Sequence, residues 1–449
     1  MTPDSAVKIT KVEIESAAPG LLGAHIDHPV VGTGTDSYAL EIRGWAIGAD
    51  APVSAIEISL GARKTSIPAS LGEPRPDLPG EFPDVAHAGE SGFRTLVGVL
   101  ENRARFGLEL HARLADGSRA RIGRVEGERR PLASGLEPAL QPLMLNTIGR
   151  SGSTWLAWVL SCHPEVAGYR PMQFETRVAT YWMSVFQGLS QPRSYLSQLV
   201  TTNLESDRRW WLGDGAESTP KIDDPALEAW LGSDAVEGVA AMCQARIDAF
   251  FRRLAAESGK PEARFFLEKF LLEPVVLDLL SELYPGTREV ILVRDFRDVA
   301  SSVLAFNRKR GFKAFGREHV DSDAEYIRAV VLRQALGVLQ RRRERGDSAH
   351  LIRYEDLLTE PEQTLERAFE FVGVDHSPAV VDRTLKRAHD ESPSMDHHRT
   401  ATDPAATIGR WREDLSPELI DECAAALDEV LGEFGYEPTE ASVAAARGD

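Results

Sequence analysis

The sequence predicts an α/β fold: a mostly parallel sheet flanked by helices, preceded by a small all-β, sandwich-like domain. Three observations predict it. Period-two alternation of apolar and polar residues dominates the first part of the chain. Beyond a Pro- and Gly-bearing stretch, "RRPLASGLEPALQ" at 129–141, the pattern changes to short, nearly continuous apolar runs separated by helical periodicity. Lastly, "LNTIGRSGSTWLAW" at 145–158 reads as the end of a buried strand, a Gly/Ser turn and an apolar helix. The division expected from these is an accessory all-β domain over 1–135, a candidate for substrate recognition, and an α/β domain over 136–449.

In the first domain Ile56, Ile58 and Leu60 alternate through "AIEISL". Phe106, Leu108, Leu110, Ala112 and Leu114 do so through "RFGLELHARLA", after which Asp116-Gly117 turns the chain into "SRARIGRV". Alternation around Asp-Gly is a strong hairpin signal. "SYALEIRGWAIG" supplies another strand, and the Pro-rich "LGEPRPDLPGEFPD" reads as a loop between strands. In the second domain "PLMLNT", "ARFFLEKF", "REVILVR" and "AHLIRYE" have the composition of central parallel strands. Val236, Val239, Cys243, Ile247, Phe250 and Leu254 recur at helical spacing. The last helix opens with Ser416 as N-cap and Pro417 in its first turn.

Composition narrows the function classes. With 43% hydrophobic and 27% charged residues the chain is of ordinary globular type. A net charge of −18 speaks against a nucleic-acid partner. No apolar run is long enough for an integral membrane segment, and the N-terminal residues lack a charged-then-apolar signal. Three scattered cysteines, Cys162, Cys243 and Cys423, suit a reducing, cytoplasmic setting. Neither HExxH nor a Cys/His ligand spacing occurs, so no metal is expected.

The strand–turn–helix frame at 145–158 presents backbone amides and a partial positive charge to an anion. A nucleotide-triphosphate loop, GxxxxGK[ST], needs a lysine before its last hydroxyl residue. Here Gly152-Ser153-Thr154 stands in that place, Thr147 replaces the first glycine, and the cation is Arg150.

"GRSGSTWL" is similar to the 5′-phosphosulfate loop of sulfotransferases that use 3′-phosphoadenosine-5′-phosphosulfate (PAPS), and "REVILVRDFRDVASS" resembles their 3′-phosphate segment. "HLIRYEDLLTEPEQTLERAFEFVGV" and "IGRWREDLSPE" resemble later segments of the same family, so that the likeness runs from Pro142 to Pro438 in the expected order. The resemblance implies that Arg150, Ser151, Gly152, Ser153 and Thr154 hold the 5′-phosphate and that Arg294 and Ser302 hold the 3′-phosphate. It departs in the C-terminal segment, where "TDPAATIGRWRE" keeps only Gly409 and Trp411 of a longer glycine-rich pattern. Arg410 and Arg399 are therefore alternatives for closing over the 3′-phosphate, and Tyr354 is a candidate for the adenosine side.

Glu175-Thr176-Arg177 looks like the Glu-Thr-Arg of tyrosylprotein sulfotransferases, which makes Glu175 the candidate general base. Glu165 and His163 are weaker alternatives, His163 reading as part of a helix end. His397 and His398 are polar loop residues or acceptor ligands. Lys269, in "FFLEKFLLEP", matches a family lysine at the leaving phosphate and is the candidate for stabilising transition-state charge, with Arg150. The run Arg341–Arg345 reads as cations at a helix C-terminus.

The expected activity is transfer of the sulfuryl group from PAPS to an acceptor hydroxyl, with a carbohydrate or glycolipid favoured because Trp45 lies in a β-domain and the insert between Glu175 and Lys269 is large. A tyrosyl-peptide, phenol or alcohol acceptor is the alternative. Of other classes, a P-loop nucleotide kinase needs the absent loop lysine, and a non-catalytic nucleotide-binding protein has no need of Glu175.

Overall fold

The computed structural model describes residues 5–15, 18–60, 66–100, 103–190, 232–271, 273–390 and 405–439. They fall into two compact units, one of Met1–Leu136 with Trp182–Ala245, the other of Glu137–Tyr181 with Arg246–Asp449. The described residues 182–190 and 232–245, which the sequence reading places with the C-terminal domain, cluster with the β-rich unit.

The β-rich unit is antiparallel throughout. Its strands are β1 (Val7–Ile14), β2 (Leu21–His28), β3 (Gly34–Thr35), β4 (Ala39–Gly48), β5 (Val53–Leu60), β6 (Ser66–Glu73), β7 (Gly92–Gly98), β8 (Arg105–Leu114) and β9 (Arg119–Arg129), in the spatial order β2-β4-β7-β6-β5-β8-β9-β1-β3. Ile26, Ile42, Ile56, Phe93, Leu110 and Ile122, from six of these strands, bury in one cluster. The ladder therefore folds over on itself as a sandwich, and the alternation seen in the sequence is its inside and outside. Outward residues pair across strands: Arg121 donates to Glu109 at 3.0 Å, and Arg113 and Arg119 both reach Glu57. These arginines are neutralised locally and form no anion-binding stripe. The β8–β9 hairpin turns at Gly117, whose φ of +88° is the left-handed conformation expected of the Asp-Gly pair.

Two expectations change here. The Pro-rich stretch is not wholly loop: β6 runs into it, and Leu78–Glu81 is a short helix with proline in its first turn, where a missing N–H costs nothing. Trp45 is not an open platform. Its ring packs edge-on against Phe82 at 5.6 Å, with Leu78 and Ala88 in a small satellite core.

The second unit contains a five-stranded, all-parallel sheet of β10 (Gln141–Asn146), β11 (Val166–Gly168), β12 (Phe265–Phe270), β13 (Arg288–Val293) and β14 (Ala349–Arg353), in the order β11-β12-β10-β13-β14. Alternate residues of β13 enter different cores: Val290 and Leu292 pack with the helices Ser153–Leu160 and Pro361–Val372, whereas Ile291 and Val293 pack with Phe296–Arg310 and Pro417–Gly432. A strand covered on both faces must be apolar at both parities, which is the run seen in "EVILV". Among the described residues no helix is long and apolar enough to cross a membrane.

The run Arg341–Arg345 ends the helix Leu332–Arg345 as expected, but Arg341 itself is buried. It makes a two-pronged bond to the fully buried Glu289, with Nε–Oε1 and Nη2–Oε2 both at 2.8 Å, and reaches Asp278. Lys260 is buried as well, donating to the carbonyls of Ser161, His163 and Val166 just past the Ser153–Leu160 helix. Helix-terminal carbonyls have no intrahelical donor, and a cation there also complements the dipole. Lys260→Met is expected to lower unfolding free energy by about 3 kcal/mol or more, since three buried acceptors lose their donor. Urea denaturation measures this.

Candidate functional site

β10 is the middle strand, and the chain adds β11 and β12 on one side of it, β13 and β14 on the other. Connections leaving β10 and β13 therefore diverge, opening a crevice at the carboxyl ends of those strands, where open α/β sheets bind ligands. The 147–152 loop and the Arg294–Asp295 turn both leave the sheet there.

The loop is held from within. Thr147 and Ser151 hydroxyls bond each other, and each has a backbone carbonyl in reach, Ile148's 2.9 Å from Ser151 Oγ and Leu292's 3.2 Å from Thr147 Oγ1; one hydroxyl donates to the other, which in turn donates to its carbonyl. The Ser151 side chain is thus a brace of the loop. Arg150 has φ of +66°, a left-handed conformation rare for a residue with a side chain and one that clusters at functional sites. Gly152, at φ +87°, is the N-cap of the Ser153–Leu160 helix. A Cβ there would lie 2.3 Å from the Tyr354 ring. Gly152→Ala must accept left-handed strain of about 1–2 kcal/mol and push Tyr354 aside; a lower Tm and weakened anion binding are the expected readouts.

Arginines converge on this loop. Arg294, 4% exposed, donates from Nη1 to the Arg150 carbonyl (3.3 Å) and from Nη2 to the Thr407 carbonyl (2.7 Å), with its guanidinium 4.7 Å above the Tyr354 ring. Its Nε is buried with no acceptor among the described residues. Arg150 donates from Nε to Ser302 Oγ at 3.2 Å and lies 5.0 Å over the Phe306 ring. Burial, and then the charges of Arg294 and Arg410, pull Arg150 down to about 10. A buried cation that its neighbours depress is poised for an anion, which relieves both the burial and the repulsion. Arg410 is tied to Asp414, Nε–Oδ2 2.6 Å.

The sequence reading missed what holds this group. Asp298, buried on the Phe296–Arg310 helix, accepts from the amides of Gly409 (2.7 Å) and Trp411 (3.0 Å), and Ser301 Oγ donates to Asp414 (2.7 Å). These bonds fasten the Arg410 segment to the helix that bears Ser302. Burial and the neighbouring Asp295 push Asp298 up to about 6. Its spacing four residues before Ser302 was the available signal, since i and i+4 share a helix face.

On β12 a second group forms. Lys269, 2% exposed, pairs with Glu175 Oε1 and donates to Thr154 Oγ1 at 3.4 Å. Burial pulls its ammonium below the usual lysine range, against the opposing pull of Glu175. Arg177 forks between two carboxylates, reaching Glu175 Oε2 from Nη2 (3.3 Å) and Glu273 Oε1 from Nη1 (3.0 Å). Next to Lys269, the buried Glu268 bonds the first amides of the Val178–Ser190 helix. Thr154 lies in the first turn of the loop helix, so it is Thr154 that links the Lys269–Glu175 pair to the loop.

The alternatives fall elsewhere. His163 accepts from the Glu165 amide at Nδ1 (3.1 Å), donates from Nε2 to the Asp375 carbonyl (2.9 Å) and packs on Phe369. Both ring nitrogens are committed and burial lowers its pKa. Glu165 is engaged with Arg264 and the Asp375 amide. Tyr354 lies against Gly152 and beneath Arg294. His397, His398 and Arg399 lie outside the described residues.

Residues 142–378 match the family model described as "Sulfotransferase family". Carbohydrate sulfotransferase 1 of Danio rerio is 29% identical over 196 residues, 41% of this chain and 46% of that protein. Carbohydrate sulfotransferase 3 of Mus musculus is 29% identical over 175 residues, 37% of this chain and 36% of that protein. The match thus spans less than half the length of either relative. Of solved structures, the sulfotransferase domain from the curacin biosynthetic pathway is 18% identical, with 67% of this chain and 99% of that one covered at a TM-score of 0.37.

Proposed function

The chain belongs to the sulfotransferase family, and we propose that it moves the sulfuryl group of PAPS to a hydroxyl of a carbohydrate or glycolipid. The observation that carries the donor assignment is Arg294: a buried guanidinium whose Nε has no partner among the described residues, beside Arg150 and Ser302, at the carboxyl end of the sheet. A phosphate oxygen is an acceptor suited to that orphan donor.

PAPS, when bound, supplies a sulfuryl group on a 5′-phosphate and a second anchor in its 3′-phosphate. Arg150 and the amides at 151–154 are the residues assigned to the first, Arg294 and Ser302 to the second, with Arg410 beside them. The loop lacks the lysine that a nucleotide kinase needs there.

Glu175 takes the acceptor proton, and its pairing with Lys269 orients it. Lys269 balances negative charge on the leaving oxygen, a role supported by the contacts of its Nζ with Thr154 and Glu175. Lys269 is buried, which strengthens its effect because charge interactions grow as water is excluded, whereas Glu175 beside it is exposed. The carbohydrate acceptor is supported by the two relatives of that name over the matched portion. The satellite packing of Trp45 withdraws the aromatic-platform argument for it. A cytoplasmic setting is supported by three buried, unbridged cysteines.

Calorimetry with adenosine 3′,5′-bisphosphate and with Mg-ATP tests the donor assignment: binding of the bisphosphate alone is expected, and binding of Mg-ATP alone overturns it. Transfer of label from PAPS to a panel of glycans, glycolipids, phenols and tyrosyl peptides then tests the acceptor. Glycan or glycolipid products support the assignment, and products confined to tyrosyl peptides or phenols overturn it.

A further inference from the structure

Resting on the sulfotransferase reading, we propose that Glu268 is a positioning residue, holding Glu175 in register with Lys269 by capping the Val178–Ser190 helix from the neighbouring strand. Glu268 is 4% exposed. Its Oε2 accepts from the Ala179 amide at 2.8 Å, and its Oε1 from the Thr180 amide at 2.8 Å and the Thr180 hydroxyl at 3.0 Å. Those amides belong to a helix's first turn, which has no intrahelical acceptors. The usual acceptor is a Ser, Thr, Asp or Asn just before the helix. Here that place holds Arg177, whose side chain can only donate. The cap therefore comes from β12, and the helix start is located relative to the strand that bears Lys269.

The grip matters because the segment before the helix is strained. Phe174 has φ of +67° and Arg177 of +48°, both left-handed at residues with side chains. Such backbone persists only where its surroundings hold it. The segment "EKFLLE" holds it at three points: Glu268 at Ala179 and Thr180, Lys269 at Glu175, and Glu273 at Arg177. Removing the first leaves two amides unpaired and frees the strained turn to relax, carrying Glu175 away from the reacting hydroxyl. A displacement of about 1 Å can cost about 100-fold in rate.

Acidity gives the grip a signature of its own. Glu268 faces the helix amides, the Glu273 charge and Tyr284, itself bonded to Asp248. Burial pushes Glu268 up to about 7 against the pull of the amide bonds. A carboxyl whose folded pKa lies above the ordinary 4.5 contributes stability that is present below 4.5 and lost as pH rises through about 7. Holding two amides and a hydroxyl requires the ionised form, so turnover moves the other way, rising with pH through the same interval. A purely structural residue would move stability and turnover together.

The test compares Glu268→Gln and the milder Thr180→Val with the unmodified full chain. The readouts are kcat, acceptor KM, bisphosphate affinity and the pH profile. For Glu268→Gln we expect unchanged bisphosphate affinity, kcat lowered about 10- to 100-fold and loss of the acid limb near pH 7. For Thr180→Val we expect a drop of about 2- to 5-fold, the scale of one hydrogen bond. Unaltered kcat and acid limb in Glu268→Gln overturn the proposal, as does an equal loss of kcat and bisphosphate affinity. If Glu268→Gln fails to fold, Thr180→Val decides, and unaltered kcat overturns the proposal. Failure of the underlying reading looks different: the unmodified chain itself binds no bisphosphate, and the proposal falls with it.

Discussion

Glu175→Gln is expected to lower kcat by about 10²- to 10⁴-fold, the usual contribution of a general base, with bisphosphate affinity retained. The amide is nearly isosteric and keeps an oxygen toward Lys269, but it cannot take a proton. Of the carboxylates near the loop, Glu175 is the one paired with the buried Lys269, and Lys269 in turn touches Thr154 at the start of the loop helix. Single-turnover transfer of label from PAPS separates the chemical step from release. Turnover at the unmodified rate removes Glu175 from the role and directs attention to Glu273, which shares Arg177.

Arg294→Ala is expected to weaken bisphosphate binding by about 2–5 kcal/mol, the cost of truncating one partner of a buried charged pair. That is roughly 30- to 4,000-fold in Kd. Arg294 also holds the carbonyls of Arg150 and Thr407, so part of the loss comes through the loop and the Arg410 segment. Arg294→Lys separates the contributions. It keeps a charge but loses the planar fork, so it should recover only part of the affinity. Ser302→Ala, which removes one hydroxyl, should cost about 1 kcal/mol. Calorimetry reads all three, and equal affinities for Arg294→Ala and the unmodified chain dismiss the 3′-phosphate assignment.

Much of this was legible along the chain because the features are local. Strand parity is a period of two, so "RFGLELHARL" announces its buried face and "EVILV" announces burial on both. Gly152 announces a left-handed turn before a helix, and Ser416-Pro417 a helix start, because backbone geometry and capping act within a few residues. The loop with Arg150, and Arg294 with Ser302 on a later strand–helix turn, were likewise visible as separate motifs.

Their meeting was not. Arg150 reaches Ser302 because the sheet order places β10 beside β13, and register across a parallel sheet is a property of the whole core rather than of either strand. The supporting carboxylates were hidden for a related reason. Asp298 and Glu268 look like ordinary acidic residues in sequence, and only tertiary packing buries them against the amides of distant segments. Trp45 shows the converse, a residue whose type suggests a surface role until Phe82 and Leu78 cover it. The sequence by itself determined the strands, the anion-binding loop and its cations, since each rests on neighbours in the chain. Only the tertiary structure decided which charges share a low-dielectric site and what holds them there, since burial and long-range hydrogen bonds depend on residues the chain keeps far apart.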